Sequence, residues 1–491
     1  MPDFDLLSKP WIPVLWKDGK TEPRLGIKDA LERADEIREV HGASPLDTLA
    51  LYRFLLAVLK RCAPEVTEED LARIGAAGAL PRDCFKQLDK NKDRFELLGS
   101  RDGFYQEYAA WKDVDAKKDK PFRPPTDLVP ELPSASNVAH FRHTRDFRDG
   151  LCPACCAVGL IRLSAFATHS AHPPYKGGKP SGINGGTPVY ALYLGRSLLD
   201  TLLLNWPKGH NEKDRPGWMG DDRPNPEDIG CLAGLTWRPR KVWLERPQED
   251  GEKARCIWCG MSTPLVRRIA FLPGWERPFG KKSWALDPHL RPEISLPNES
   301  KKINRSHAQS WRLFYRDYLQ GLSAAVVASL QRQGLAVAFF ASAANEALYK
   351  DAVSLVWRLP SEGLNKDLAE AALAELGFLE GIKPDETLED AMRPEKRRKK
   401  VGMEIQSALT LTGRETEAQL RREFERFVDE MAAGNPDAAR NWRNRAQSLC
   451  ENEMVRVHGL ITTASPLRRD EEEARFLKRQ GAHSPGSRQR R

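Results

Sequence analysis

An α+β fold, with a large mixed N-terminal domain stapled by a structural metal and a C-terminal four-helix bundle behind it, is what three features of this sequence predict. Two C-x-x-C pairs, Cys152 with Cys155 and Cys256 with Cys259, lie far apart in the chain. Up to about residue 360, short alternating apolar segments and helical runs are interleaved with Gly and Pro turns. Beyond residue 360, Gly and Pro thin out and long charged amphipathic runs take over. The expected layout is a mixed domain over 1–360, a helical bundle over 361–479 and a disordered basic tail over 480–491.

The elements follow in order. "PWIPVLWKDGKTEPRLG" places an apolar run before an Asp18-Gly19 turn and predicts a β-hairpin. In "SPLDTLALYRFLLAVLKRC" a Ser44-Pro45 start precedes leucines 46, 49, 55, 56 and 59 at helical spacing. Between Trp111 and Pro133 the composition shifts to Lys, Asp and Pro, which reads as an exposed extended connection. "LTWRPRKVWLE" has the alternation of a strand around Trp237, Val242 and Leu244. Four helices are expected in the bundle, over 366–379, 388–411, 420–431 and 442–449, with a Gly434-Asn435-Pro436 break before the last.

Composition narrows the class. At 491 residues the chain is long enough for several domains, and 40% hydrophobic with 30% charged residues describes a globular protein. A net charge of +8 is compatible with a polyanionic partner. No run of apolar residues is long enough to span a bilayer, and the start has no signal layout, so a soluble, cytoplasmic protein with no membrane partner is expected. Nine cysteines, an odd number, argue for a reducing compartment; Cys62, Cys84, Cys231 and Cys450 stand alone as small buried hydrophobes.

The paired knuckles are the strongest chemical signal. Each C-x-x-C turn aims two sulfurs at one point, as tetrahedral Zn²⁺ requires, and four thiolates leave no open position for water or substrate. The expectation is structural zinc on Cys152, Cys155, Cys256 and Cys259. Cys156 leaves the register of the first knuckle open, and a thioredoxin-type redox pair is the alternative chemistry. The histidine pairs His140/His143 and His169/His172 complete no metal motif.

"YKGGKPSGINGGTPV" is glycine-rich, but Gly178-Lys179 is followed by Pro180, which excludes a P-loop, and no dinucleotide fingerprint can be read through it. Neither a nucleophile elbow nor a carboxylate cluster is apparent, so no catalytic constellation is expected. "SASNVAHFRHTRDFR" interleaves aromatic rings with arginines, as contacts to unpaired RNA bases require, although a polar loop with one anchoring Phe would look the same. The run "EKRRKK" reads either as a solvated helix face or, on a surface facing DNA, as a phosphate patch through Arg397, Arg398 and Lys399.

Taken together, the Pro-Trp-Ile-Pro start, "CPACC", the glycine loop ending in Gly-Gly-Thr-Pro-Val and the helical end resemble, in that order along the whole chain, the large subunit of the type I-E CRISPR Cascade complex, the CasA family. The resemblance implies a non-catalytic subunit working with other Cascade subunits, a CRISPR guide RNA held by its 5′ end, and double-stranded target DNA. Such a subunit recognises a short motif beside the target, helps open the duplex and recruits a helicase-nuclease once the R-loop has formed.

Residue by residue, the resemblance implies that Asn137, Phe141, Arg142 and His143 contact the guide RNA, with Phe141 as the key aromatic. It implies that Lys176, Gly177, Gly178 and Lys179 enter the minor groove, where glycines admit backbone without side chains. The family's wedge, commonly Asn-Gln-Ala, falls on Asn345, Glu346 and Ala347, a departure that puts a carboxylate near DNA. For the family's motif-reading lysine, Arg268, Arg277 and Lys281 are all candidates. A zinc-stapled enzyme acting on nucleic acid and a pure assembly scaffold are the competing readings.

Overall fold

The computed structural model of the chain describes residues 4–20, 23–98, 102–116, 122–129, 131–132, 150–166, 188–207, 211–220, 222–247, 253–275, 287–295, 310–324, 336–345, 348–360, 364–381 and 403–464. It is a mixed fold of helices and several sheets, as the sequence predicts. The chain divides into two compact units, Met1–Asn298 with Gln333–Val356, and Glu299–Arg332 with Trp357–Arg491. Residues 299–332, expected in the N-terminal domain, therefore belong to the second unit.

The first unit opens on the expected hairpin. Strand Ile12–Trp16 pairs antiparallel with Arg24–Leu25, in register Ile12 to Leu25, and on its other side with Ile37–Val40. Helix Pro45–Cys62 follows from its own local signals: extended Ser44 accepts the Asp47 backbone N–H at 3.3 Å, Pro45 occupies the first turn, and Lys60 and Arg61 oppose the dipole in the last. The helix is buried almost all round, and it packs against helices Arg82–Lys90, Pro153–Arg162, Leu198–Leu204 and Cys231–Leu235.

A helix buried this way has to pair the charges it carries. Arg53 Nη1 reaches both Asp287 carboxylate oxygens at 2.8 Å, Nη2 donates to the Gly234 carbonyl at 3.3 Å, and the guanidinium lies 4.8 Å from the Tyr190 ring. His289 is buried two residues beyond Asp287, its Nδ1 3.9 Å from Asp287 Oδ1 and outside hydrogen-bond reach. Burial first, and the neighbouring Arg53 second, push its pKa down to about 3 from the usual 6.5.

The folded state thus holds His289 neutral while an unfolded chain takes up a proton below about pH 6.5. Its contribution to stability is complete above that pH and is lost as the pH falls toward 3. Chemical denaturation of wild type and His289→Gln is expected to show the wild type losing about 1.4 kcal/mol more per pH unit across this window. Parallel curves would contradict a neutral buried imidazole.

A four-stranded sheet in the order Leu348–Arg358, Ala336–Asn345, Pro188–Leu194, Leu290–Ser295 covers another side of the core. Its central pair is antiparallel, with Phe340 opposite Tyr190. A separate antiparallel pair joins Arg240–Leu244 to Ile269–Pro273, Val242 opposite Phe271. The expected extended connection over 111–133 is in part helical: Trp111 lies in helix Tyr108–Ala116, and Pro125–Leu128 forms a short buried 3₁₀ turn. Burial of that turn follows from its partners, since Arg123 Nε donates to Asp127 at 2.6 Å and the Arg162 guanidinium donates to the Leu128 carbonyl.

Helices Ser310–Ala324, Lys366–Gly381, Met403–Ala432 and Ala438–Ala464 are the described helices of the second unit. Their core is aromatic: Tyr315 stacks on Trp357 at 4.0 Å, Trp311 and Phe424 meet at 5.7 Å, and Phe427 stacks on Trp442 at 5.9 Å. Met403–Ala432 runs unbroken, so the expected helices over 388–411 and 420–431 are not separate; Gly413 alone costs too little to interrupt a helix held by packing. The expected break after it is present, with Gly434 at φ +77° and the Asn435 amide returning to the Glu430 carbonyl at 2.9 Å.

Candidate metal centre

Each knuckle is shaped by its own backbone. In the first, Cys152 caps helix Pro153–Arg162 and accepts the Cys155 amide at 3.4 Å, while Pro153 starts the helix. The second occupies the turn between strands Ala254–Arg255 and Ser262–Thr263: the Cys256 amide donates to the Met261 carbonyl at 2.8 Å, the Gly260 amide to the Cys256 carbonyl at 2.9 Å, and Gly260 takes φ +77°.

A short bridge brings the two together, Leu151 and Val266 exchanging amide-to-carbonyl bonds at 3.1 and 2.9 Å. Gly150, at φ +106°, permits that approach, because a Cβ there would stand 2.3 Å from the Val266 carbonyl oxygen.

The four sulfurs consequently lie within 4.8 Å of one another. Cys152 and Cys259 are 3.6 Å apart, and the Cys152 amide donates to Cys256 Sγ at 3.3 Å. A tetrahedron of Zn–S bonds near 2.3 Å has edges of about 3.8 Å, so this donor set fits a four-coordinate thiolate site. All four cysteines are free thiols, and Cys156, fully buried beside them, is not in the cluster. The register ambiguity at "CPACC" is resolved by which sulfurs converge.

Charge is countered locally in part. Hydrogen bonds from Cys152 first, and Cys155 next, hold the Cys256 thiol below its usual range. Arg24, on the hairpin, is half-buried; burial pulls its pKa down, but Cys259, Cys155 and Cys152 more than offset this and hold it above its usual value. A dication with four thiolates carries two net negative charges, of which a nearby guanidinium offsets one.

Sequence reading missed Asp47. Arg162, ending the first knuckle's helix, donates to Asp47 Oδ1 at 2.7 Å, and Trp258, inside the second knuckle, donates to Oδ2 at 3.3 Å. Both halves of the cluster are thereby anchored to the start of helix Pro45–Cys62. Burial raises the Asp47 pKa against the opposing pull of Arg162. Only its place in the first turn of a capped helix marked it in sequence, and that signal says nothing about long-range partners.

Of the other predicted residues, Arg268 is described: its Nε lies 3.0 Å from both Glu245 carboxylate oxygens, and its guanidinium sits over Trp111 and Phe122. Asn345 closes strand Ala336–Asn345. Asn137, Phe141, Arg142 and His143, the loop Lys176, Gly177, Gly178 and Lys179, the wedge residues Glu346 and Ala347, and Arg277, Lys281, Arg397, Arg398 and Lys399 lie outside the described residues.

A family model described as CRISPR-associated protein Cse1 matches residues 5–454. The chain belongs to the Cse1 family. The CasA resemblance carried by its sequence motifs is borne out at that level. The CRISPR-associated protein CasA/Cse1 of Thermus thermophilus is 34% identical over 271 residues, covering 52% of this chain and 51% of the relative, so the matched stretch spans about half of that relative's length.

Solved structures share this fold. Thermus thermophilus CasA (Cse1) matches with a TM-score of 0.68 and 21% identity, over 98% of this chain and 99% of that one. A chain from a CRISPR RNA-guided surveillance complex matches with a TM-score of 0.66 and 15% identity, over 98% and 99%. Among the described residues, no helix is long and apolar enough to cross a membrane.

Proposed function

We propose that this Cse1-family chain is the non-catalytic large subunit of a cytoplasmic RNA-guided surveillance complex that recognises a short motif in duplex DNA. The family match over residues 5–454 carries this reading, because the guide-RNA loop, the glycine loop and the wedge all fall inside it. The likeness to a chain solved in a CRISPR RNA-guided surveillance complex supports assembly with other subunits of the same kind. In this reading Asn137 to His143 hold the 5′ end of the guide RNA. Lys176 to Lys179 enter the minor groove, Asn345 to Ala347 part the first base pairs, and the opened complex recruits a helicase-nuclease.

The cysteine cluster is a structural zinc site in this account. Cys152, Cys155, Cys256 and Cys259 would hold the ion, which would tie the stretch between the guide-RNA and glycine loops in sequence to the second knuckle rather than activate water. Backbone donors and Arg24 offset the thiolate charge, and Asp47 ties both knuckles to the core.

Substituting Gly177 and Gly178 with tryptophan in the reconstituted complex tests the glycine loop. Minor-groove entry predicts affinity for a matched target duplex at least about tenfold weaker, with assembly on the guide RNA unchanged. Unaltered DNA affinity would overturn the role given to this loop.

A further inference from the structure

We infer that an aromatic groove in the first unit, remote in sequence from the glycine loop, binds an unpaired base of a single-stranded nucleic acid. Four rings meet there: Tyr108 and Trp111 on helix Tyr108–Ala116, Phe122, and Trp243 on strand Arg240–Leu244. Their backbones are held together, the Glu107 amide on the Val242 carbonyl at 3.0 Å, and Arg123 and Ile269 exchanging bonds at 2.9 and 2.8 Å.

The rings pack on one another without a slot between them, so a planar guest would stack on their outer, partly exposed faces. Trp111 and Trp243 lie 4.4 Å apart at 56°, Tyr108 and Trp243 5.6 Å apart at 60°, and Trp111 and Phe122 4.2 Å apart. Tyr108, Trp111 and Trp243 are partly exposed and, with Arg246, line a groove of about 420 Å³, within the range of ordinary ligand sites. A small apolar cluster of Ala110, Val114, Ala270 and Leu272 lies beneath. Phe122 and Trp243 pack against it, which accounts for those two rings; Tyr108 and Trp111 extend the aromatic surface further.

The rim selects the guest. Lys112 stands 5.4 Å from the Tyr108 ring, Arg268 stands 5.9 and 5.1 Å from Trp111 and Phe122, and Arg246 lines the groove itself. An anionic group on the guest would meet Arg246 in the groove and Lys112 at its rim, beside the Glu245 carboxylate. Stacking faces with a cationic rim are what an unpaired base and its phosphate need. Arg268 is engaged by both carboxylate oxygens of half-buried Glu245, so its contribution at the rim is chiefly to cover Trp111 and Phe122. Every base has a π-face, so little sequence preference is expected.

The inference rests on a nucleic-acid role for the chain but not on motif reading. Its test is photo-crosslinking of the full chain to short oligothymidylate and oligouridylate carrying 5-iodouracil, with the sites mapped by mass spectrometry and affinities measured by anisotropy. Crosslinks at Tyr108, Trp111 or Trp243 are expected, and the two oligomers show whether DNA or RNA is preferred. An abasic oligomer of equal length, or the Trp111→Leu variant, should bind about fivefold to a hundredfold more weakly, and Trp111→Phe should retain most of the affinity.

Crosslinks confined to other residues, or equal affinity for abasic and base-bearing oligomers, would overturn the proposal. If Trp111→Leu fails to fold, the crosslink map and the abasic comparison still decide. A complex that ignores the duplex motif yet crosslinks at these rings would remove the motif reading and leave this site standing.

Discussion

Replacing Cys152 and Cys256 together with serine is expected to leave the purified chain without bound metal and to abolish cooperative unfolding of its first unit. The unsubstituted chain should carry about one equivalent of zinc, because four convergent sulfurs with backbone donors around them form a closed tetrahedral site. Zinc binding to such sites is worth on the order of 10 kcal/mol in small isolated modules, and that energy becomes folding energy. Here the cluster reinforces other ties between the two stretches, among them the Leu151–Val266 bridge, the Ile257 amide on the Gly150 carbonyl at 3.4 Å and the bonds to Asp47. Metal analysis showing less than about half an equivalent in the unsubstituted chain would contradict the site. So would unchanged thermal unfolding of the double variant.

The second large effect concerns the pair at the centre of the first unit. Arg53→Met strips Asp287, whose carboxylate is fully buried, of the guanidinium that reaches both its oxygens, while the neutral His289 amide still donates to Oδ1 at 3.1 Å. A buried charge stripped of its partner costs about 3–5 kcal/mol. The double variant Arg53→Met with Asp287→Leu removes both charges and should recover a large part of that loss, since an apolar replacement of a buried pair is often close to neutral. Urea denaturation of the two variants measures both quantities. A loss under about 1 kcal/mol for Arg53→Met would mean that the pair is hydrated in solution.

How much of this was legible in the sequence depended on how local the signal was. The hairpin at Asp18-Gly19 and the Ser44-Pro45 helix start are written in a few adjacent residues, and both formed as read. The knuckles were legible for the same reason, since a C-x-x-C turn is local; only the convergence of the two turns required the fold. The Cys156 ambiguity needed three dimensions, because adjacent cysteines on a helix start differ only in the direction they face.

What was missed involves partners far apart. Arg53 and Asp287 carry no pattern that joins them, and Asp47 looked like one more acid in a first turn. The helix at Tyr108–Ala116 was hidden by the lysines and prolines that follow it, which outweighed a short apolar face, and with it the ring cluster that Trp243 completes. Nothing local in helix Ser310–Ala324 assigns it to one unit; its place in the second is set by Trp311 and Tyr315 packing on Phe424.

The central claim, that a complex built on this chain reads a short duplex motif, is tested most directly with the assembled guide-RNA complex and a panel of target duplexes differing only in the two or three base pairs beside the target. The account predicts affinities that differ by at least about tenfold across the panel, with several motifs tolerated because minor-groove readout is degenerate. Equal affinity for every duplex would contradict it.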